Sequence, residues 1–446
     1  MTRRAALGAL GAVGGVAALG AVLWPRRRGG GVARGRVELR YWEKWTGAEG
    51  AAMARVVEKY NQSQDRAWVR MLTVSDITSK AMVAIGGGDP PDVVGLYTYS
   101  VPIYAEARAV MALDEFARGA VLARTPYLPA VRSLLEHDGH TWAGVNTIYT
   151  LALYANARAL RGAGIARPAR TLEELDEHNR RLTSVGADGR IERAGFLQNV
   201  PGWWPYFWPC VSAGSLYDEK TRRATIDSDA CARAYAWVQG TAGEFGAERT
   251  RAFAGAFARS IHSASDPFIS GRQAMIVQGP WLAAFAKAAN PALEYTVAPV
   301  PVEARVYEPE LPTGLLEADV LMIPRGCPHP EEAFDFLLFT QRPEVQEELA
   351  LAHAKPSPMS VVSPGFAGAH PNPGVAVHAA IAASPRVSVL PRTRVCKQYT
   401  DLTIPAFEAI WSGADVTAEL SRVAALAQEQ IDHDGAMRAR REGARA

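Results

Sequence analysis

The sequence predicts an α/β protein with mostly parallel sheets, helices on both faces and more than one hydrophobic core. Three observations lead there. The chain has 446 residues, whereas a single core stops growing at roughly 250–300. A composition of 48% hydrophobic and 21% charged residues is that of a folded globular protein and excludes wholesale disorder. Strand and helix patterns alternate from Val37 to Leu96, the order that builds a parallel sheet.

The first segment is of a different kind. Arg3 and Arg4 precede a run from Ala5 to Trp24 with no charge, 20 residues, enough to cross a bilayer. Its glycines make a buried helix a costly alternative, so residues 1–35 are expected to be an export signal or membrane anchor plus linker. The paired arginines resemble a twin-arginine export signal. Ala33-Arg34-Gly35 has the form of a cleavage site, while Arg26-Arg27-Arg28 suits an uncleaved anchor. No cysteine stands near the run, so a lipid anchor is not expected. The first 36 residues hold seven arginines and no acid; the remainder carries 41 basic against 46 acidic groups. A mildly acidic body argues against a nucleic-acid partner, whose phosphates demand a basic surface.

The folded part follows in order. Val37, Leu39 and Tyr41 alternate with charged residues as a half-buried strand that ends at Trp42-Glu43-Lys44-Trp45. Met53, Val56, Val57 and Tyr60 form a helical stripe, and Val69, Met71 and Thr73 mark a second strand. A helix runs to Gly86, a turn follows through Pro91, and Asp92–Leu96 begins a third strand. Leu151–Tyr154 opens a second α/β region. There Thr171-Leu172-Glu173-Glu174 matches a capping box. Residues 203–208 hold five aromatics in six positions. Strands recur at Ala274–Val277, Tyr295–Val300 and Ala318–Ile323, and Pro330 opens a buried helix. The tail after Gly435 is basic and expected to fray. Four cysteines lack metal spacing; one disulfide is conceivable, Cys210–Cys231 being the nearest pair, and so are free thiols.

Signs of catalysis are missing. The nine histidines stand singly, and there is no HExxH, GxSxG elbow or P-loop, so no metal, cofactor or catalytic residue is expected. Aromatic and amide residues at strand ends stand out instead. A sugar presents flat C–H faces and rings of hydroxyls, which call for aromatic platforms plus carboxylates and amides. Trp42, Glu43 and Trp45 suit that chemistry equally with a cap over the core. Tyr97, Asn146, Tyr149, Trp281 and the aromatics at 203–208 carry the same two readings.

Phe268-Ile269-Ser270-Gly271-Arg272-Gln273-Ala274-Met275-Ile276-Val277-Gln278-Gly279-Pro280-Trp281 resembles the F-x-x-G-x-x-A-M-x-x-x-G-x-W signature of extracellular solute-binding proteins, family 1, the maltose-binding-like receptors of sugar ABC transporters. Four further stretches agree in order: Tyr41–Gly47, Gly88–Val94, Gly144–Asn146 with Leu153–Asn156, and Ile323–Leu337. The resemblance covers Val37 to about Ile431. It implies a periplasmic-binding-protein-like fold of type II, with two lobes closing on a ligand about a hinge. Lobe one would be 36–147 with 277–322, lobe two 148–276 with 323–435, and 436–446 a basic tail. It also implies ligand contacts at Trp42, Glu43, Trp45, Tyr97, Asn146, Trp204, Gly279 and Trp281, with Glu317 and Ser357 as weaker carry-overs; Tyr154 and Met275 look structural.

The function implied is that of a non-catalytic, exported, monomeric receptor. It would take a di- or oligosaccharide, or a polyol such as glycerol phosphate, and deliver it to an ABC permease from the periplasm or cell surface. A phosphate ligand would draw on Arg392 or Arg394. The rivals are an exported carbohydrate-active enzyme, which needs two carboxylates facing each other across the cleft, and a membrane-tethered sensor with an exposed apolar patch.

Overall fold

The computed structural model describes residues 35–443. The expected export or anchor segment, up to residue 34, lies outside them. Among the described residues no helix is long and apolar enough to cross a membrane.

The first unit opens with β1 (Val37–Glu43), α1 (Gly47–Ser63), β2 (Ala67–Thr73), α2 (Ile77–Gly86) and β3 (Val93–Tyr97). The chain then reaches β4 (Gly144–Thr150) and passes directly into β5 (Ala152–Asn156) of the second unit. There follow α3 (Leu172–Leu182), α4 (Asp229–Phe245), β6 (Met275–Gln278), α5 (Leu282–Ala289) and β7 (Tyr295–Ala298). β8 (Leu316–Met322), α6 (Pro330–Thr340) and α7 (Pro343–His353) return to the first unit, and α8 (Val375–Ala383), α9 (Cys396–Trp411) and α10 (Val416–Gly443) complete the fold.

The first sheet has the order β2-β1-β3-β8-β4. β1 is parallel to β2 and β3, as the alternation of strand and helix predicts. β8 is antiparallel to β3 and β4, and the second sheet, β6-β5-β7, is antiparallel throughout. The expectation of mostly parallel sheets therefore holds only where a crossover helix joins neighbouring strands; strands brought in from distant segments pair the other way. Mixed α/β character stands.

Burial follows the sequence pattern. β1 buries Leu39, Tyr41 and Glu43 on one face, while all seven residues of β8 are enclosed, as in a strand covered on both faces. α3 starts at Thr171, whose hydroxyl accepts the Glu174 N–H at 3.3 Å, while the Glu174 carboxylate accepts the Arg170 N–H at 2.8 Å. Pro330 occupies the first turn of α6, where its missing N–H costs nothing.

The lobe boundaries differ from expectation. β6 and β7 flank β5, so residues 277–298 belong to the second unit. Phe334, Phe336, Leu337 and Leu349 of α6 and α7 join the core beneath the first sheet, so residues 330–353 belong to the first. Three segments cross between the units side by side. Leu151 N–H donates to Leu315 O at 3.1 Å, Leu316 N–H to Ser388 O at 2.8 Å and Ser388 N–H to Gly314 O at 2.8 Å. His378 of α8 braces the first crossing, with Thr150 Oγ1 and Tyr154 Oη each 2.9 Å from its ring nitrogens.

Two smaller expectations also change. The basic tail continues α10 as helix to Gly443, carried by the packing of its preceding turns on α9 and β-strand 223–224. All four cysteines are buried free thiols, so Cys210 and Cys231 are not bridged.

Candidate functional site

The signature around Trp281 has a physical explanation at each fixed position. Phe268 is fully buried, its ring 6.3 Å from Tyr154 and 6.2 Å from Tyr295. Gly271 turns the chain at φ 77°, a region that favours glycine. Ala274 and Met275 lie in the interior, Met275 opening β6. A Cβ on Gly279 would sit 2.3 Å from the Trp281 ring, so glycine is required for the indole to lie across the backbone. Trp281 is left half-buried at the start of α5.

Around it the structure gathers a set of aromatics from both units. The Trp281 ring lies 5.1 Å from Tyr149 of β4 and 6.2 Å from Trp204. Trp203 packs edge-on to Trp204 at 5.4 Å. Tyr149 donates its hydroxyl to Glu317 on β8. Glu317 is 6% exposed, and its Oε1 has no hydrogen-bond partner. Burial raises its pKa to about 7, with Asp319 adding to the rise and the Tyr149 hydrogen bond opposing it. Burial raises the pKa of Tyr99 and Tyr206, and the Glu317 charge adds to the rise in both.

Tyr99 leads into a cavity of about 1310 Å3 between the two units, larger than the roughly 300–1,000 Å3 of an ordinary ligand pocket because it opens to solvent. Lys44, Tyr97 and Ile103 line one wall; Lys397, Gln430 and His433 line the other. Tyr97 stacks on Tyr99 at 5.4 Å and lies 4.6 Å beneath Lys44 Nζ. Lys44 in turn is 3.0 Å from Asp319 and 3.3 Å from Glu43. Burial works against the Asp319 charge, yet Lys44 and then Lys355 hold its carboxyl well below the usual range. Among the described residues no cluster of His, Cys, Asp or Glu is arranged to hold a metal ion.

The residues singled out from sequence divide sharply. Tyr97 lines the cavity, whereas Trp204, Trp281, Gly279 and Glu317 come together around Tyr149 at the crossing between the units. Glu43, Trp45, Asn146 and Ser357 are instead buried in the first unit and join neither group, unlike the exposed ligand contacts expected of them. Glu43 is 0% exposed; its carboxylate accepts from Tyr41, from Asn146 Nδ2 at 3.0 Å and from the Lys44 N–H at 2.7 Å. Gly95 leaves the room for it, since a Cβ there would collide with its carboxylate. Trp45 packs edge-on to His353 at 4.4 Å within the first core, and Ser357 Oγ accepts the Met359 N–H at 3.2 Å. Trp42 is half-buried against the same core. Arg392 is held by Glu219 at 2.5 Å and Arg394 lies 3.7 Å from Asp434. Sequence reasoning missed Lys44, Tyr99 and His262. For the first two the signal is proximity to residues already chosen: Lys44 sits inside the Trp42–Trp45 run, and Tyr99 two residues beyond Tyr97; His262, 19 residues from Trp281, carries none.

The model of bacterial extracellular solute-binding proteins matches residues 46–347. The chain belongs to that family. Solved structures of such binding proteins share its fold. CpMnBP1 with mannobiose bound is 22% identical, covering 88% of this chain and 100% of its own, with a TM-score of 0.75. The cyclic α-maltosyl-1,6-maltose binding protein of Arthrobacter globiformis is 18% identical over 90% of this chain and 100% of its own, with a TM-score of 0.72. The maltose/maltodextrin-binding domain MalE of Bdellovibrio bacteriovorus, bound to maltotriose, is 18% identical over 89% and 100%, with a TM-score of 0.69. No curated relative matches the sequence. These likenesses establish the two-lobed fold of a solute-binding protein, and the two units are hereafter its lobes.

Proposed function

We propose that this solute-binding protein captures a di- or oligosaccharide between its lobes and presents it to an ABC importer. The carrying observation is the convergence of Trp281, Trp204 and Tyr149 above the partly unsatisfied carboxyl of Glu317, at the point where the chain crosses between lobes. Aromatic faces take the C–H surface of a pyranose, and a buried carboxyl with a free oxygen takes a hydroxyl. Structural neighbours hold mannobiose, mannotriose or maltotriose, which supports the same class here. The uncharged run from Ala5 to Trp24 behind Arg3 and Arg4 supports export to the periplasm or cell surface by the twin-arginine route, and the family supports docking on a permease, as a monomer in our reading.

The reading is non-catalytic: the family and its structural neighbours are binding proteins. Arg392 and Arg394, the arginines a polyol phosphate could draw on, are each matched to a carboxylate, which favours neutral sugars over glycerol phosphate. A thermal-shift screen of the chain against mono-, di- and oligosaccharides and glycerol phosphate tests this. A ligand binding only the folded state raises stability by about 2.7 kcal/mol at a hundredfold excess over Kd. The expected outcome is a rise in Tm with one saccharide class. A rise with glycerol phosphate alone, or with no carbohydrate, would refute the proposal.

A further inference from the structure

We propose that the aromatic platform continues past Trp204 into a second saccharide subsite on the rim of lobe two, formed by Trp203 and the His262–Phe285 stack, and that the solute is therefore an oligosaccharide longer than a disaccharide. The inference rests on the saccharide reading above and extends it outward.

The rings form one succession. Trp203 is 5.4 Å from Trp204 and 5.3 Å from His262, and His262 lies flat on Phe285 at 4.2 Å and 5°. Trp203 is 44% and Phe285 38% exposed, so two large aromatic faces meet solvent with a half-buried imidazole between them. Adjacent exposed rings of this size mark a surface that something covers.

The arrangement is held in place against local strain. His262 has φ 68°, which a non-glycine residue adopts only at a cost. Asp266, fully buried, fixes it: one carboxylate oxygen accepts the His262 N–H at 2.9 Å, and the other accepts the Phe268 N–H at 2.9 Å and the Ile269 N–H at 3.2 Å. The imidazole so placed accepts the Trp281 indole N–H at Nε2, 3.1 Å away. One residue thus ties the inner platform to the outer one. Burial lowers its pKa, with Asp266 opposing, which keeps Nε2 free to accept. The tautomer that accepts at Nε2 carries its hydrogen at Nδ1, a donor suited to a sugar hydroxyl beside the two apolar faces. Continuity with the inner cleft and this mixture of ring faces and a neutral donor fit the outer rings of a glycan better than a protein surface.

Titration calorimetry decides it, using the chain with maltose, maltotetraose, mannobiose and mannotetraose, alongside Trp203→Ala and Phe285→Ala. In the unmodified protein one tetrasaccharide is expected to bind at least about tenfold tighter than its disaccharide, about 1.4 kcal/mol. Each substitution should remove about that factor for the tetrasaccharide; Phe285→Ala, whose ring stacks on His262 rather than on the inner platform, should change the disaccharide affinity less than about twofold, and melting curves check that both variants stay folded. Equal affinity for both lengths, or tetrasaccharide affinity untouched in both variants, would overturn the rim subsite and leave the inner site standing. Variants that bind normally but fail in uptake would assign the rim to the membrane partner instead. Absence of binding to every sugar by the unmodified protein would overturn the inner site, and the rim with it.

Discussion

Gly279 and Trp281 act as one unit, because the indole occupies the space where a side chain at position 279 would stand. Gly279→Ala should therefore displace the ring and weaken saccharide binding as severely as Trp204→Ala, which removes a platform outright. Binding titrations with parallel melting curves check both. Trp204 is half-buried, so its truncation should shift Tm by only a few degrees, and a large stability loss would make it a core residue instead. Glu317 carries a pH signature. Its folded pKa of about 7 lies above the ordinary 4.5, so its contribution is complete below 4.5 and is lost as pH rises through 7. Glu317→Gln keeps an acceptor for Tyr149 without the buried charge. It should gain stability over the unmodified protein at pH 8 relative to pH 5, on the order of 3 kcal/mol at most; denaturant unfolding at the two pH values measures it, and an equal difference at both would refute it. How much of this was legible varies by residue. Trp281 and Gly279 stand in a motif whose spacing follows from their contact. Glu43 misled, though its place was in the pattern: it shares the parity of Leu39 and Tyr41, and so points into the core. The pairing of Asn146 with Glu43 could not be read at all, since 103 residues separate them.

At the scale of elements, the crossing strands decide whether the lobes can move. Gly314 lets Leu151 O and the Ile381 side chain approach to where its own Cβ would stand, 2.7 and 2.8 Å away. Gly314→Val should force the three crossings apart, costing about 1–3 kcal/mol of stability. It should also loosen saccharide binding although no sugar contact is touched. Denaturant unfolding together with a binding titration tests the coupling, and unchanged values of both would show that the crossing tolerates separation. Local patterns made the individual elements readable: the alternation in β1, the cap at Thr171 and the proline opening α6. Pairing was not readable, because β5 recruits β6 and β7 from more than 100 residues away. That distance is why the sheets are less parallel, and the lobe boundaries different, from what the order of elements suggests.

At the scale of the molecule, a solute held between lobes has contacts with both only when they come together. Tyr149 and Glu317 stand on the first sheet, while Trp204 and Trp281 belong to the second lobe, so a sugar among them bridges the hinge. Ligand binding then favours the closed arrangement by its differential contacts with the two lobes. Small-angle scattering of the chain with and without the saccharide found in the thermal screen is the most direct measurement. Capture between lobes predicts a smaller radius of gyration at saturating sugar, and no decrease in the presence of Gly279→Ala at the same concentration. A bound sugar that leaves the radius of gyration of the unmodified protein unchanged would contradict it.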